Sequence, residues 1–137
     1  MADQSVPYIS RVPDYCDIDL DFMKHPKTNQ LILKHGRDAV IRSVRNLVFT
    51  NYYERPFKSG IGSNIRALLF ENFTPTTLLV LQDEIRRVLN EFEPRIEVQD
   101  IRASEDIDRN GFDITIEFVI LNRNEPVVTT VFLERIR

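Results

Sequence analysis

Two short clusters in this chain set an acid and a base beside a proline: Glu93-Pro94-Arg95 and Glu54-Arg55-Pro56-Phe57. A carboxylate in such a place has two chemical uses. Left unpaired and partly dehydrated, it can act as a general acid or base. Paired with the neighbouring guanidinium, it makes a planar, charge-assisted contact that keeps its charge when half buried. Proline stiffens the backbone next to both groups. An arginine next door to each glutamate favours the second use, two rigid polar junctions suited to assembly rather than turnover.

The other candidates for chemistry are weaker. Glycoside hydrolysis needs two carboxyl groups roughly 5–9.5 Å apart across a sugar bond. Glu54, Glu71 and Glu93 lie near expected loops, and Asp17, Asp19 and Asp21 cluster. A peptidoglycan-cleaving enzyme using Glu54, Glu71 or Glu93 is therefore the catalytic alternative, but structural or interfacial ion pairs account for these residues better. No catalytic residue is assigned. Gly60-Ile61-Gly62 lacks the third glycine and the lysine of a phosphate loop and reads as a turn that needs positive φ. His25, His35 and the single Cys16 do not make a four-ligand zinc set, so neither a metal nor a cofactor is expected.

Composition sets the outer bounds. The chain has 137 residues, enough for one domain with a core, and a net charge of −3 with acids and bases mixed along it. That balance creates no broad field for nucleic acid, and no apolar run is long enough to span a bilayer. One cysteine excludes an intramolecular disulfide. The first residues, Met1-Ala2-Asp3-Gln4-Ser5, lack the basic and apolar regions of a signal peptide. Assembly in the cytoplasm is the expectation.

The elements that must position the two clusters follow from periodicity. Residues 1–16 read as an irregular arm, and 17–137 as a single domain. Ile18, Leu20 and Phe22 alternate with aspartates, which predicts a half-buried strand. His25 to Asn29 is turn chemistry, and Leu31-Ile32-Leu33 closes a small hairpin. Val40, Ile41, Val44, Leu47 and Val48 predict a helix over about 37–50, with Arg37, Arg42 and Arg45 toward solvent or a partner. Residues 51–63 form a loop, and 64–70 a short helix capped by Ser63 or Asn64. Phe57, Phe70 and Phe73 are expected in the core. Thr74-Pro75 starts the second main helix, whose stripe of Leu78, Leu81, Ile85, Val88, Leu89 and Phe92 ends before Pro94.

After Pro94 the period changes from helical to two. Arg95–Ile101 reads as a strand, Asn110-Gly111 as a hairpin turn, and Phe112, Ile114, Ile116, Phe118 and Ile120 as one face of a second strand. Val127, Val128, Thr129, Thr130, Val131, Phe132 and Leu133 make the last, uncharged and strongly β-prone. At a sheet edge this strand would be an open template for another chain; in the interior it would simply fill the sheet, and the residues leave both open. The expected fold is α+β, two main helices packed on a small, mostly antiparallel sheet.

Asp19-Leu20-Asp21-Phe22, His25-Pro26, Arg55-Pro56-Phe57, Leu69-Phe70-Glu71 and Glu93-Pro94-Arg95, in this order, resemble the baseplate wedge family of contractile injection machines. That family includes a small wedge protein of phage tails and a baseplate subunit of type VI secretion systems; some members have been described as lysozyme-like. The resemblance runs from about residue 17 to the C-terminus. It implies a domain like the strand-exchange domain of sheath subunits and a structural role in the inner baseplate of a phage tail, with no enzymatic activity. The implied partners are core wedge proteins and tail sheath, with tube or hub as further candidates, and the implied location is the virion. Glu93, Pro94, Arg95, Glu54, Arg55, Pro56 and Phe57 would dock the subunit, and Val127–Leu133 would pair with sheath strands. A type VI baseplate subunit and a regulatory adaptor on the same fold are the alternatives. The chain departs from the family at Tyr53 and Asn29, where glycine is common; a positive φ would be costly for the tyrosine and tolerable for the asparagine.

Overall fold

The computed structural model describes residues 14–72 and 74–135. A two-stranded antiparallel hairpin, β1 (Cys16–Ile18) and β2 (Leu33–His35), leads into helix α1 (Gly36–Phe49). A loop carries the chain to the one-turn helix α2 (Ile65–Leu68) and then to α3 (Pro75–Phe92). Strands β3 (Ile96–Asp106), β4 (Gly111–Ile120) and β5 (Glu125–Glu134) follow as an antiparallel meander in the order β3-β4-β5. The fold is α+β, with two small antiparallel sheets.

Helix α3 starts and stops for local reasons. Thr74 takes extended backbone angles, its hydroxyl oxygen accepts from the Thr77 N–H at 3.1 Å, and Pro75 occupies the first turn, where no donor is lost. Pro94 cannot continue α3, so Glu93 is the last residue tied to it, donating its N–H to the Leu89 carbonyl at 3.0 Å. Helix α1 ends where Thr50 turns extended.

The core lies between the helices and one face of the meander. Val40, Val44 and Val48 from α1 and Leu81, Ile85, Val88 and Leu89 from α3 meet Phe112, Ile114, Ile116, Phe118 and Ile120, all buried. The last five are the alternating set predicted for one face of β4. At the β3–β4 turn Asn110 has φ 50°, and a Cβ on Gly111 would fall 2.5 Å from the Leu133 carbonyl oxygen. Asn-Gly thus serves two needs, a left-handed turn residue and a close approach to β5.

The hairpin corrects the alternation read over residues 17–22. Asp19 is buried while Ile18, Leu20 and Phe22 are exposed, joined on the surface by Met23, Leu31 and Leu33. Asp19 faces inward because it has partners there: its carboxylate accepts from the Asp21 N–H at 3.3 Å and lies 3.8 Å from the Lys34 ammonium. With a charge satisfied inside, the apolar side of the period-2 pattern turns outward. Phe57 and Phe70, expected in the core, are also exposed; Phe73 lies outside the described residues. So do residues 1–13 of the expected arm, whereas Cys16 belongs to β1 and Asp14 pairs with Arg123 at 3.0 Å.

The meander has two edges. Arg135 donates its N–H to Asn110 O at 2.9 Å, so the odd-numbered residues of β5 direct their main-chain groups at β4, and Pro126, Val128, Thr130, Phe132 and Glu134 direct theirs outward. A proline at 126, on the outward side, agrees with the rule that confines it to edges. Among the described residues no strand pairs with this edge. The opposite edge, β3, carries a bulge between Val98 and Asp100 and is lined with charge, devices that discourage pairing.

Candidate functional site

The Glu93-Pro94-Arg95 junction sits where α3 gives way to β3, and four segments converge on it. The Glu93 side chain is 3% exposed. Arg95 embraces it bidentately, Nε to Oε1 at 2.6 Å and Nη2 to Oε2 at 2.9 Å. From α1, the Ser43 hydroxyl donates to Glu93 Oε2 at 2.5 Å. The far side of the guanidinium reaches β1, where Nη1 donates to the Asp17 carboxylate at 3.0 and 3.2 Å. The Tyr15 ring lies beneath, 5.4 Å from the guanidinium carbon. Pro94 makes this possible by forcing the chain to turn between the two charged residues. The Arg95 carbonyl then accepts from the Leu121 N–H at 3.0 Å, joining the junction to the end of β4.

Electrostatics keep the cluster ionised. Burial is the largest single influence on the Glu93 carboxyl and pushes it up, but hydrogen bonds from Arg95 and Ser43, with the guanidinium charge, together outweigh it and hold Glu93 below the usual carboxylate range. Arg95 is pushed further up, chiefly by its bonds to Glu93. A carboxylate with both oxygens engaged and its proton disfavoured is poorly equipped as a general acid. It is well equipped to hold α1, α3, β1 and β3 in register.

The second cluster is built differently and lies apart in role. Glu54 closes a local turn, accepting from the Asn51 N–H at 3.0 Å and the Asn51 side-chain amide at 2.8 Å, which hold its carboxyl below the usual range. Arg55, Pro56 and Phe57 stand in solvent at the loop's tip. Tyr53 and Phe57 both have positive φ, 68° and 67°. The cost expected for a tyrosine at residue 53 is therefore present, and Asn29, at φ 61°, adopts the left-handed conformation as expected. Tyr53 is 85% exposed and Phe57 fully so. Gly62, at φ 147°, closes the loop where a Cβ would meet the Asn51 backbone at 2.5 Å.

A third junction escaped sequence reading. Arg87 on α3 binds Glu84 through Nε and Nη2 at 3.0 and 2.9 Å, Glu91 through Nη1 at 2.7 Å, and the Tyr52 hydroxyl. Glu84 also accepts from the Asn64 N–H at 2.9 Å. This network pins the 51–63 loop and the start of α2 to α3. The signal was the Glu84/Arg87/Glu91 spacing on one helix face; its reach to Tyr52 had none. The α1 arginines expected toward solvent or a partner also find partners within the chain: Arg42 binds Asp21 at 2.6 Å, Arg37 lies 3.8 Å from Glu125, and Arg45 donates to the Thr130 carbonyl at 3.1 Å. The two histidines have structural places; the His25 ring nitrogen accepts from the N–H groups of Lys27 and Thr28, and His35 ends β2. Among the described residues, no three His, Cys, Asp or Glu side chains are placed to hold a metal.

The described residues thus form a small α+β domain with a strand edge that no other strand covers and with ion-paired corners between elements. Residues 34–125, more than half of the chain, match the model of the baseplate wedge protein gp25 family, and the chain belongs to that family, the baseplate wedge proteins of contractile tail systems. The baseplate wedge protein gp25 of Enterobacteria phage T4 is 25% identical over 113 residues, covering 82% of this chain and 85% of the relative. Among solved structures, a candidate tail lysozyme from Geobacter sulfurreducens superimposes with a TM-score of 0.73 at 23% identity, covering 79% of this chain and 98% of that one. A chain of the anti-feeding prophage baseplate gives 0.65 at 19% identity over 90% and 88%. A chain of the postcontracted pyocin R2 baseplate gives 0.56 at 18% over 87% and 99%.

Proposed function

We propose that this chain is a structural subunit of the inner baseplate of a contractile phage tail, that it docks on core wedge proteins, and that it starts sheath assembly by strand pairing along β5. The observation that carries the reading is the outward edge from Val128 to Glu134, uncharged until its last residue and unpaired among the described residues. Apart from the Thr130 carbonyl, which Arg45 holds at 3.1 Å, the outward N–H and C=O groups of this edge pair with no strand among the described residues, and a row of such groups is matched by another extended chain. Of the residues assigned to docking, Arg55, Pro56 and Phe57 offer an exposed tip with Tyr53 beside it, while Glu93 and Arg95 act first as an internal brace and present only the outer side of the Arg95–Asp17 pair. The subunit works without turnover: the Glu93 carboxylate is enclosed by Arg95 and Ser43, and both Glu54 oxygens are committed to Asn51.

Val128→Pro tests the strand pairing. The Val128 N–H points away from β4, so proline there removes an outward donor and leaves the internal ladder intact. The expected outcome is a normal circular dichroism spectrum, incorporation into wedges, and loss of binding to the sheath protein encoded with the same tail. Sheath binding at wild-type strength would sink the proposal.

A further inference from the structure

At the C-terminal end of β5 the open edge runs into a groove of about 400 Å³. Its walls are Val48 and Phe49 at the end of α1, Ile65 and Leu69 around α2, and Phe132 and Leu133 of β5. Phe49 is 55% exposed, unusual for a phenylalanine whose neighbours Leu47 and Val48 are both core. Asn51, Arg66 and Glu134 line the rest of the groove.

We infer that this groove is a side-chain socket belonging to the β5 edge, and that its occupant is a bulky apolar residue on the partner strand that pairs with β5. The inference rests on the strand-pairing reading and adds to it the position that sets specificity. In a sheet, directly opposed residues project to the same face. Leu133 projects to the helical face and is buried there. A residue of an added strand opposite Leu133 would project to that same face, beside β5, toward the groove that Leu133, Phe49 and Leu69 line. Because the Leu133 main chain is committed to β4, that pair is non-hydrogen-bonded on the outer side, the kind in which side chains approach most closely. The groove and the unpaired main-chain groups are continuous, so one extended segment satisfies both. Arg45, bonded to Thr130 O, marks the polar stretch of the same edge. The partner strand is thus specified at one place: leucine, isoleucine, methionine or phenylalanine opposite Leu133.

The test uses the full chain and, as probe, the purified sheath subunit encoded with the same tail. Phe49→Ser makes the socket polar without touching β5, and Phe49→Leu keeps it apolar. Burial of one large apolar side chain corresponds to a loss of about tenfold or more in affinity for Phe49→Ser, with Phe49→Leu close to wild type. The chain has no tryptophan, so Phe49→Trp labelled with 5-fluorotryptophan gives a single fluorine resonance, expected to shift when the probe binds. Unchanged affinity in Phe49→Ser, with Val128→Pro still abolishing binding, overturns the socket and leaves the edge standing. Binding unaffected by Val128→Pro overturns both. A resonance that shifts when residues 1–13 are deleted, or with the chain's own concentration, assigns the groove to the N-terminal segment or to a second copy and overturns the inference.

Discussion

Glu93→Ala removes a carboxylate from a site where Ser43 and Arg95 were built around it. The loss is worked from the geometry. Glu93 is 3% exposed and receives three hydrogen bonds, two from Arg95 and one from Ser43. Taking one partner from a buried pair costs about 3–5 kcal/mol, because the remaining charge is left uncompensated. Arg95 keeps Asp17, at its more exposed side, so the lower end, about 3 kcal/mol, applies. For a chain of this length that is a fall in Tm of roughly 10 °C. It leaves a folded protein, since domains commonly have about 5–15 kcal/mol in hand. Ser43→Ala should cost less, about 1.5 kcal/mol, for one hydrogen bond to a charged group. Asp17→Asn should cost less again, about 1 kcal/mol, because Asp17 is only partly buried, its side chain 39% exposed. The assay is urea and thermal denaturation of the isolated subunit, and the order Glu93, Ser43, Asp17 matters more than any one value. If Glu93→Ala melts with the wild type and fails only in wedge incorporation, the residue is a docking group and the internal brace is wrong.

Two further outcomes follow from the same structure. Glu93 is held below the usual carboxylate range, so its stabilising contribution is complete above the ordinary glutamate pKa and lost as pH falls through the lowered folded value. The stability gap between wild type and Glu93→Gln, measured by urea midpoints, should therefore narrow on acidification below about pH 4.5, and a constant gap would contradict the assignment. Tyr53→Gly should raise stability by about 1 kcal/mol, because a positive φ is strained for tyrosine and the exposed ring gives up little packing; a lower Tm would mean the ring contributes more to the fold than its exposure indicates.

Where one physical signal dominated, the residues were easy to read. The stripe from Leu78 to Phe92 with Thr74-Pro75 before it and Pro94 after it leaves no other element possible, and α3 lies there. The five alternating residues of β4 are buried as a set. Misreading came where two signals competed. Ile18, Leu20 and Phe22 alternate as well as any strand, yet alternation says only that two faces differ, and Asp19, supplied with Lys34 and the Asp21 amide, took the inner one. The Glu93-Pro94-Arg95 junction was legible as a stiff polar corner. That its arginine would turn back on its own glutamate, with Ser43 and Asp17 completing the site, depends on how α1 and β1 pack, and no local pattern carries that. The Arg87 network was hidden for the same reason: its helical spacing is visible, its contact with Tyr52 is tertiary.

The partners in the Glu93 cluster are separated along the chain by 2, 50 and 78 residues. Each closes a loop of a different length, and long loops close at greater entropic cost. Loop closure alone therefore favours the Glu93–Arg95 pair, with only a small difference between the two longer closures. The Glu93–Arg95 pair needs only the bend at Pro94, the Ser43 bond needs α1 against α3, and the Asp17 bond needs the hairpin docked. An interaction that forms after the main barrier leaves the folding rate alone and slows unfolding. If the Asp17 contact forms after the main barrier, its whole contribution, about 1 kcal/mol, is expected as slower unfolding, by no more than about fivefold in the wild type against Asp17→Asn.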